Sequence, residues 1–111
     1  MLVLYSPQRG VILRYEFDWD PNKERANIRK HGLSFRQAAS VFCDPNQLSR
    51  FDESHSEKED RWITLGIDSA GVLRILVHTF EQVDENLWRI RIISARKANP
   101  EETQIYNERT T

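Results

Sequence analysis

The chain has 111 residues, 39% of them apolar and 30% charged, with a formal net charge of -1. This length supports one domain with a single modest core, burying very roughly two thirds of the unfolded surface, and leaves no room for a second catalytic domain. No apolar run nears the ~18 residues of a membrane span, and the near-neutral balance argues against a protein that coats nucleic acid through bulk electrostatics.

The opening MLVLYSPQRG has no basic residue ahead of its short apolar run, so it fails as a secretory signal and a cytoplasmic protein is expected. In RYEFDW, residues 14 to 19, Tyr15, Phe17 and Trp19 alternate with charged residues in strand period. Asp20 and Pro21 supply a cap and a first-turn proline, and Gly32 a stop, for a mostly solvated helix PNKERANIRKH with a thin apolar stripe of Ala26 and Ile28. A second helix opens with a Ser34/Gln37 capping box and repeats Phe35, Ala38, Ala39 and Phe42 at helical spacing, so it should pack on the sheet. Cys43 near its end excludes an internal disulfide or a thiolate-rich metal site, and reads as a small buried residue.

After a short LSRF strand and an acidic loop come RWITLGI, VLRILVHTF and WRIRIISA, joined by hairpin-length turns into an antiparallel meander. Asn99, Pro100 and Glu102 cap a final helix whose large apolar residues are Ile105 and Tyr106. The fold class expected is α+β, with helices on one face of an antiparallel sheet.

Charge is sorted along the chain. FDESHSEKED, residues 51 to 60, carries five acids and one lysine, whereas residues 88 to 98 carry Arg89, Arg91, Arg96 and Lys97 and no acid. Alternation places Trp88, Ile90, Ile92, Ser94 and Arg96 on one face of the last strand and Arg89, Arg91, Ile93 and Ala95 on the other. Arg89 and Arg91 then project from the open face, either as anion-binding cations or as partners of the acids in residues 52 to 60. Arg91 and Arg96 can line one cleft only if a bulge or the strand end turns Arg96 around.

Lys30-His31-Gly32 ends the first helix, where cations complement the macrodipole, which is a structural reason for both residues. Glu57 and Arg61 stand four apart before a strand, as a local ion pair or as a base beside a phosphate clamp. His78 reads as a packed, hydrogen-bonded histidine. There is no Gly-rich phosphate loop, no Cys-x-x-Cys, no His-Glu-x-x-His and no nucleophile elbow. A metal set of Asp52, His55, Glu57 and Asp60 would lie in a loop without fixed geometry. What survives is a metal-free, cofactor-free set of His, Glu, Lys and Arg suited to RNA cleavage by the RNA's own 2'-hydroxyl.

FDWDPNKERANIRKHGLSF, then AASVFCDP, HSEKEDRWITLG, LVHT and RIISARKANPEE, in this order over residues 17 to 108, resemble the BrnT toxins of type II toxin-antitoxin systems, small ribonucleases with a RelE-like fold. The resemblance implies one RelE-like toxin domain over residues 1–111: an antiparallel sheet, two N-terminal helices on one face and a short C-terminal helix. Residues 1–14 would be a possible N-terminal extension or added edge strand, and EQVDENL an insertion. It further implies RNA cleavage and growth arrest, neutralised by a BrnA-like antitoxin through which alone operator DNA is reached.

Carried onto this sequence, the family's motifs give six catalytic candidates: Lys30, His31, Glu57, Arg61, Arg91 and Arg96. Arg61 and Arg91 would hold the scissile phosphate, His31 or Glu57 would be the base and the other the acid, and Lys30 would screen a neighbouring phosphate. Arg96 would bind RNA or buttress Glu57, and Arg89 would bind the RNA strand. The rival from another class is a non-catalytic module that docks on a protein or on DNA in a repressor complex.

Overall fold

The computed structural model describes residues 2–8 and 10–110. The chain runs β1 (Leu2–Gln8), β2 (Val11–Trp19), α1 (Pro21–His31), α2 (Phe35–Ala39), a 3-10 turn (Ser40–Cys43), β3 (Leu48–Phe51), β4 (Trp62–Ile67), β5 (Leu73–His78), β6 (Glu81–Asp84), β7 (Leu87–Lys97) and α3 (Pro100–Thr110), with a second 3-10 turn at Glu53–His55. One sheet joins all seven strands in the order β1-β2-β7-β5-β4-β3, and β6 pairs β7 beside this path.

The sheet is mixed, which corrects the all-antiparallel expectation: β2 runs parallel to β7, from Arg14 opposite Leu87 to Trp19 opposite Ile92. A tight hairpin cannot make that pairing, and here two helices and four strands intervene between the partners. The meander is also broken by β6, formed by the EQVD segment expected to be a turn. Within the opening stretch, β1 pairs antiparallel with β2 as an edge strand, while Met1 and Arg9 lie outside the described residues.

The core lies on the face covered by α2 and its 3-10 continuation. Phe35, Ala38, Ala39, Val41 and Phe42 meet Tyr15, Phe17, Leu76, Ile90 and Ile92. Phe42 packs at 5.4 Å from Phe17 and 5.6 Å from Tyr15 between ring centroids. The 3-10 turn lies close on β4, where a Cβ on Gly66 would stand 2.7 Å from Val41 Cγ1. Cys43, expected to be buried, is exposed, because the chain turns from helical to 3-10 winding at Ser40 and rotates it away from the sheet.

α1 has the expected bounds and caps: the Asp20 side chain accepts from the Asn22 N–H, and Gly32 closes the helix at φ 66° with its N–H on the Ile28 carbonyl. The expected Ala26/Ile28 stripe is not its docking face, since both are exposed and the buried residue of the helix is Asn27. Asn27 bonds the backbone on two sides, donating from Nδ2 to the Leu33 carbonyl at 2.9 Å and accepting at Oδ1 from the Ala95 N–H at 3.0 Å. The β2–β7 pairing stops at Trp19 and Ile92, and α1 then packs along β7.

α3 opens with a reciprocal capping box, in which Glu102 N–H donates to Asn99 Oδ1 and Asn99 N–H donates to Glu102 Oε1, both at 2.8 Å. Its docking is largely polar: Tyr106, 5% exposed, donates its hydroxyl to Asp44 at 2.6 Å. Ile105 faces outward. α3 is thus a third helix, at the C-terminus, held at Asp44 beside the 3-10 turn that continues α2.

Candidate functional site

The last strand contains the bulge on which a shared site depends. Val77 of β5 pairs with Ser94, but His78 pairs with Ile92, so Ile93 is the extra residue. Before it, Ile90 and Ile92 are buried and Arg89 and Arg91 exposed; after it, Ala95 is buried, while Ser94 and Arg96 are not. The inward set therefore changes from even to odd positions. Arg89, Arg91, Ser94 and Arg96 consequently share the open face, so strict alternation fails for the second half of the strand.

Three cavities divide the candidate residues. The first, about 390 Å³, gathers Lys30 and His31 from the end of α1, Arg50 from β3, Ser94 and Arg96 from β7 and Glu102 from α3, over Ile63, Ile75 and Val77. Glu102 accepts from both terminal nitrogens of Arg96, at 2.9 Å each. That fork-to-fork contact holds the Glu102 carboxyl below its ordinary range and raises the Arg96 guanidinium above its own. Lys30, Arg50 and Arg96 share this cavity with one carboxylate, Glu102, so it carries a positive excess and an anion is favoured.

The second cavity, about 570 Å³, is lined by Arg89 and Arg91 but also by Asp18, Glu59, Asp60 and Glu81. Both arginines are engaged: Arg91 Nη2 donates to Glu59, and Arg89 stands 3.7 Å from Glu16. Thr79 fixes the Arg91 backbone, its hydroxyl accepting from the Arg91 N–H and its own N–H donating to the Arg91 carbonyl, both at 2.9 Å. Four carboxylates with two guanidiniums make this cavity a poor home for phosphate.

The third cavity, about 280 Å³, holds Glu57 and Arg61 within the 52–61 loop. The loop closes at its base through the Asp52 N–H on the Arg61 carbonyl at 2.8 Å. The partner of Arg61 is Glu59, with Nε 3.9 Å from its carboxylate, and not Glu57; Nε is buried and makes no hydrogen bond. Glu59 lines both the second and third cavities and links Arg61 to Arg91. His55 pairs with Asp52 at 3.0 Å, and among the described residues no group of three or more His, Cys, Asp or Glu is disposed to hold a metal ion.

Lys30, His31 and Arg96 are thus brought together, Glu57 lies with Arg61 elsewhere, and Arg91 lies with Arg89. Arg50, Glu102, Glu59 and Ser94 line these cavities but were not among the candidates named from the sequence. Glu102 carried a sequence signal as the capping acid of α3, and Arg50 the weaker signal of a cation in a short strand.

A small mixed α+β domain with a cationic cavity on its open sheet face is the setting in which the comparisons with known proteins fall. The family described as "Ribonuclease toxin, BrnT, of type II toxin-antitoxin system" matches residues 19–102. The chain belongs to that family of ribonuclease toxins, and β1 with nearly all of β2 lies ahead of the matched region. Among solved structures it is similar to the crystal structure of the Brucella abortus ribonuclease toxin, BrnT, at 21% identity, covering 75% of this chain and 95% of that chain, with a TM-score of 0.49. No curated protein matches the chain. Among the described residues, no helix is long and apolar enough to cross a membrane.

Proposed function

We propose that this chain is a metal-independent endoribonuclease that cleaves RNA through the RNA's own 2'-hydroxyl, in the cavity between the end of α1 and the start of α3. The observation that carries the reading is the bulge at Ile93, which brings Arg96 to the face where Lys30, His31 and Arg50 converge. His31 removes the 2'-hydroxyl proton as the 2'-oxygen bonds to phosphorus. Arg50 and Arg96 stabilise the charge on the phosphorane. The Lys30 ammonium gives a proton to the 5'-oxygen as its bond to phosphorus breaks. Glu102 positions the Arg96 guanidinium.

On this reading Glu57, Arg61, Arg89 and Arg91 act outside the reaction centre, holding the 52–61 loop and guiding the strand. RNA is the substrate. The antitoxin partner is of the BrnA type: it covers the cavity with acidic or aromatic residues, since cations desolvated without partners would cost several kcal/mol, and operator DNA is reached only through it. The protein acts in the cytoplasm.

The test is the chemistry of the ends. RNA cleaved in excess chelator is expected to carry a 2',3'-cyclic phosphate and a free 5'-hydroxyl. Loss of cleavage in chelator, or a 5'-phosphate product, would overturn the mechanism.

A further inference from the structure

The floor of the cationic cavity has a use that proton transfer and phosphate binding leave unexplained. Strand pairing places Arg50 opposite Ile63, Ile63 opposite Val77, and Val77 opposite Ser94, a continuous row across β3, β4, β5 and β7. Ile75, opposite Arg96, adds a second apolar position beside it. Ile63, Val77 and Ile75 are half-buried although no helix of the α2 layer covers this face, and they line the cavity together with Ser94. With strands ~4.8 Å apart, the row spans ~14 Å from its cationic end to its hydroxyl end.

We infer that this floor is a nucleobase subsite, with Ser94 as its specificity-determining residue. The ligand class is a single unpaired nucleotide, and the inference rests on RNA being the substrate of this cavity. A flat base laid on Ile63, Val77 and Ile75 removes apolar surface from water on both partners. Its phosphate then reaches Lys30, His31 and Arg96 on the rim. A volume of about 390 Å³ lies at the small end of ligand pockets, which run from ~300 to ~1,000 Å³. A base held in a duplex cannot lie flat on a floor walled by α1 and α3, so the subsite selects single strands, as sequence-specific RNA readers commonly do. Ser94 is the polar group of the Ile63–Val77–Ser94 row, and its hydroxyl both donates and accepts, so it can meet a base edge of either polarity.

The experiment titrates the protein, carrying 13C-labelled Ile and Val methyl groups, with each of the four nucleoside 5'-monophosphates. The Ile63, Ile75 and Val77 methyl signals are expected to move upfield together, and Ser94→Ala to reorder the four affinities by at least about threefold. In parallel, cleavage sites are mapped by their 5'-hydroxyl ends in a random single-stranded RNA pool. Ser94→Ala should redistribute the base preference beside the cut, whereas a purely structural role would scale all sites alike.

Unmoved methyl signals, or an identical affinity order and cleavage preference in Ser94→Ala, would overturn the subsite. Methyl shifts with a reordered affinity series but no RNA cleavage by the parent would leave the subsite standing and sink the proposed function. Cleavage by the parent with unmoved methyls would do the reverse.

Discussion

His78 is 0% exposed, at the point where the β5–β7 register shifts, and its two ring nitrogens are both used. Nδ1 lies 2.7 Å from the Thr79 carbonyl, which can only accept, so Nδ1 carries the proton. Nε2 therefore accepts from the Thr64 hydroxyl at 2.6 Å, and Thr64 in turn accepts from Ser49 at 2.7 Å. Burial lowers the His78 pKa to about 4, only partly offset by the Thr79 hydrogen bond. The unfolded state then binds the extra proton first, so stability is full above about pH 6.5 and falls as the pH drops towards 4, by a total on the order of 3 kcal/mol. Melting temperatures followed from pH 7.5 to 4 should fall accordingly, and His78→Gln, less stable at neutral pH, should show a shallower acid slope. Parallel slopes for the two proteins would refute the assignment. The packed reading of this histidine was available from its place between Leu76 and Phe80; its partner Thr64 was not, since Thr64 and the Ser49 behind it lie on other strands.

Among the elements, α1 and β7 depend on each other through Asn27. Its amide satisfies the Leu33 carbonyl and the Ala95 N–H, the latter two residues beyond the bulged Ile93. Asn27→Ala should leave both backbone groups buried and unsatisfied, a loss of about 2–4 kcal/mol, seen as a fall of roughly 10 °C or more in the melting midpoint. A change within about 1 °C would show that α1 is held by something else. The helix itself was legible because its caps are local: Asp20, Pro21 and Gly32 act within one turn. The bulge, the parallel β2–β7 pairing and the role of Asn27 were not, because each is decided by contacts between distant segments. An asparagine on a polar helix carries no period that marks it as buried, and although the apolar alternation of WRIRIISAR slips at Ile92-Ile93, a doubled apolar residue does not by itself distinguish a bulge from a strand buried on both faces. For the same reason Lys30, His31 and Arg96 could be named as candidates, while the separation of Glu57 and Arg91 from them could not be foreseen.

Over the whole molecule, the net charge of -1 reconciles with an RNA-directed face through internal pairing. Arg89 is drawn to Glu16, Arg91 and Arg61 to Glu59, and Arg74 to Asp68, while Lys30, Arg50 and Arg96 share their cavity with a single carboxylate, Glu102. Binding of single-stranded RNA through those three should give a slope of log K against log salt of about -2, whereas engagement of six cations would give about -4. A measured slope near -4 would return Arg61, Arg89 and Arg91 to direct phosphate contact. The central claim is that the reaction takes place beside His31 and Arg96, and the most direct measurement is single-turnover cleavage of labelled RNA at saturating enzyme, with folding of each variant checked by its melt. His31→Ala and Arg96→Ala are predicted to slow the chemical step by about 100-fold or more, and Arg91→Ala by no more than a few-fold. A His31→Ala protein that is folded and cleaves bound RNA at the parental rate, with Arg91→Ala inactive, would contradict the account and move the reaction to the Arg61–Glu59–Arg91 cluster.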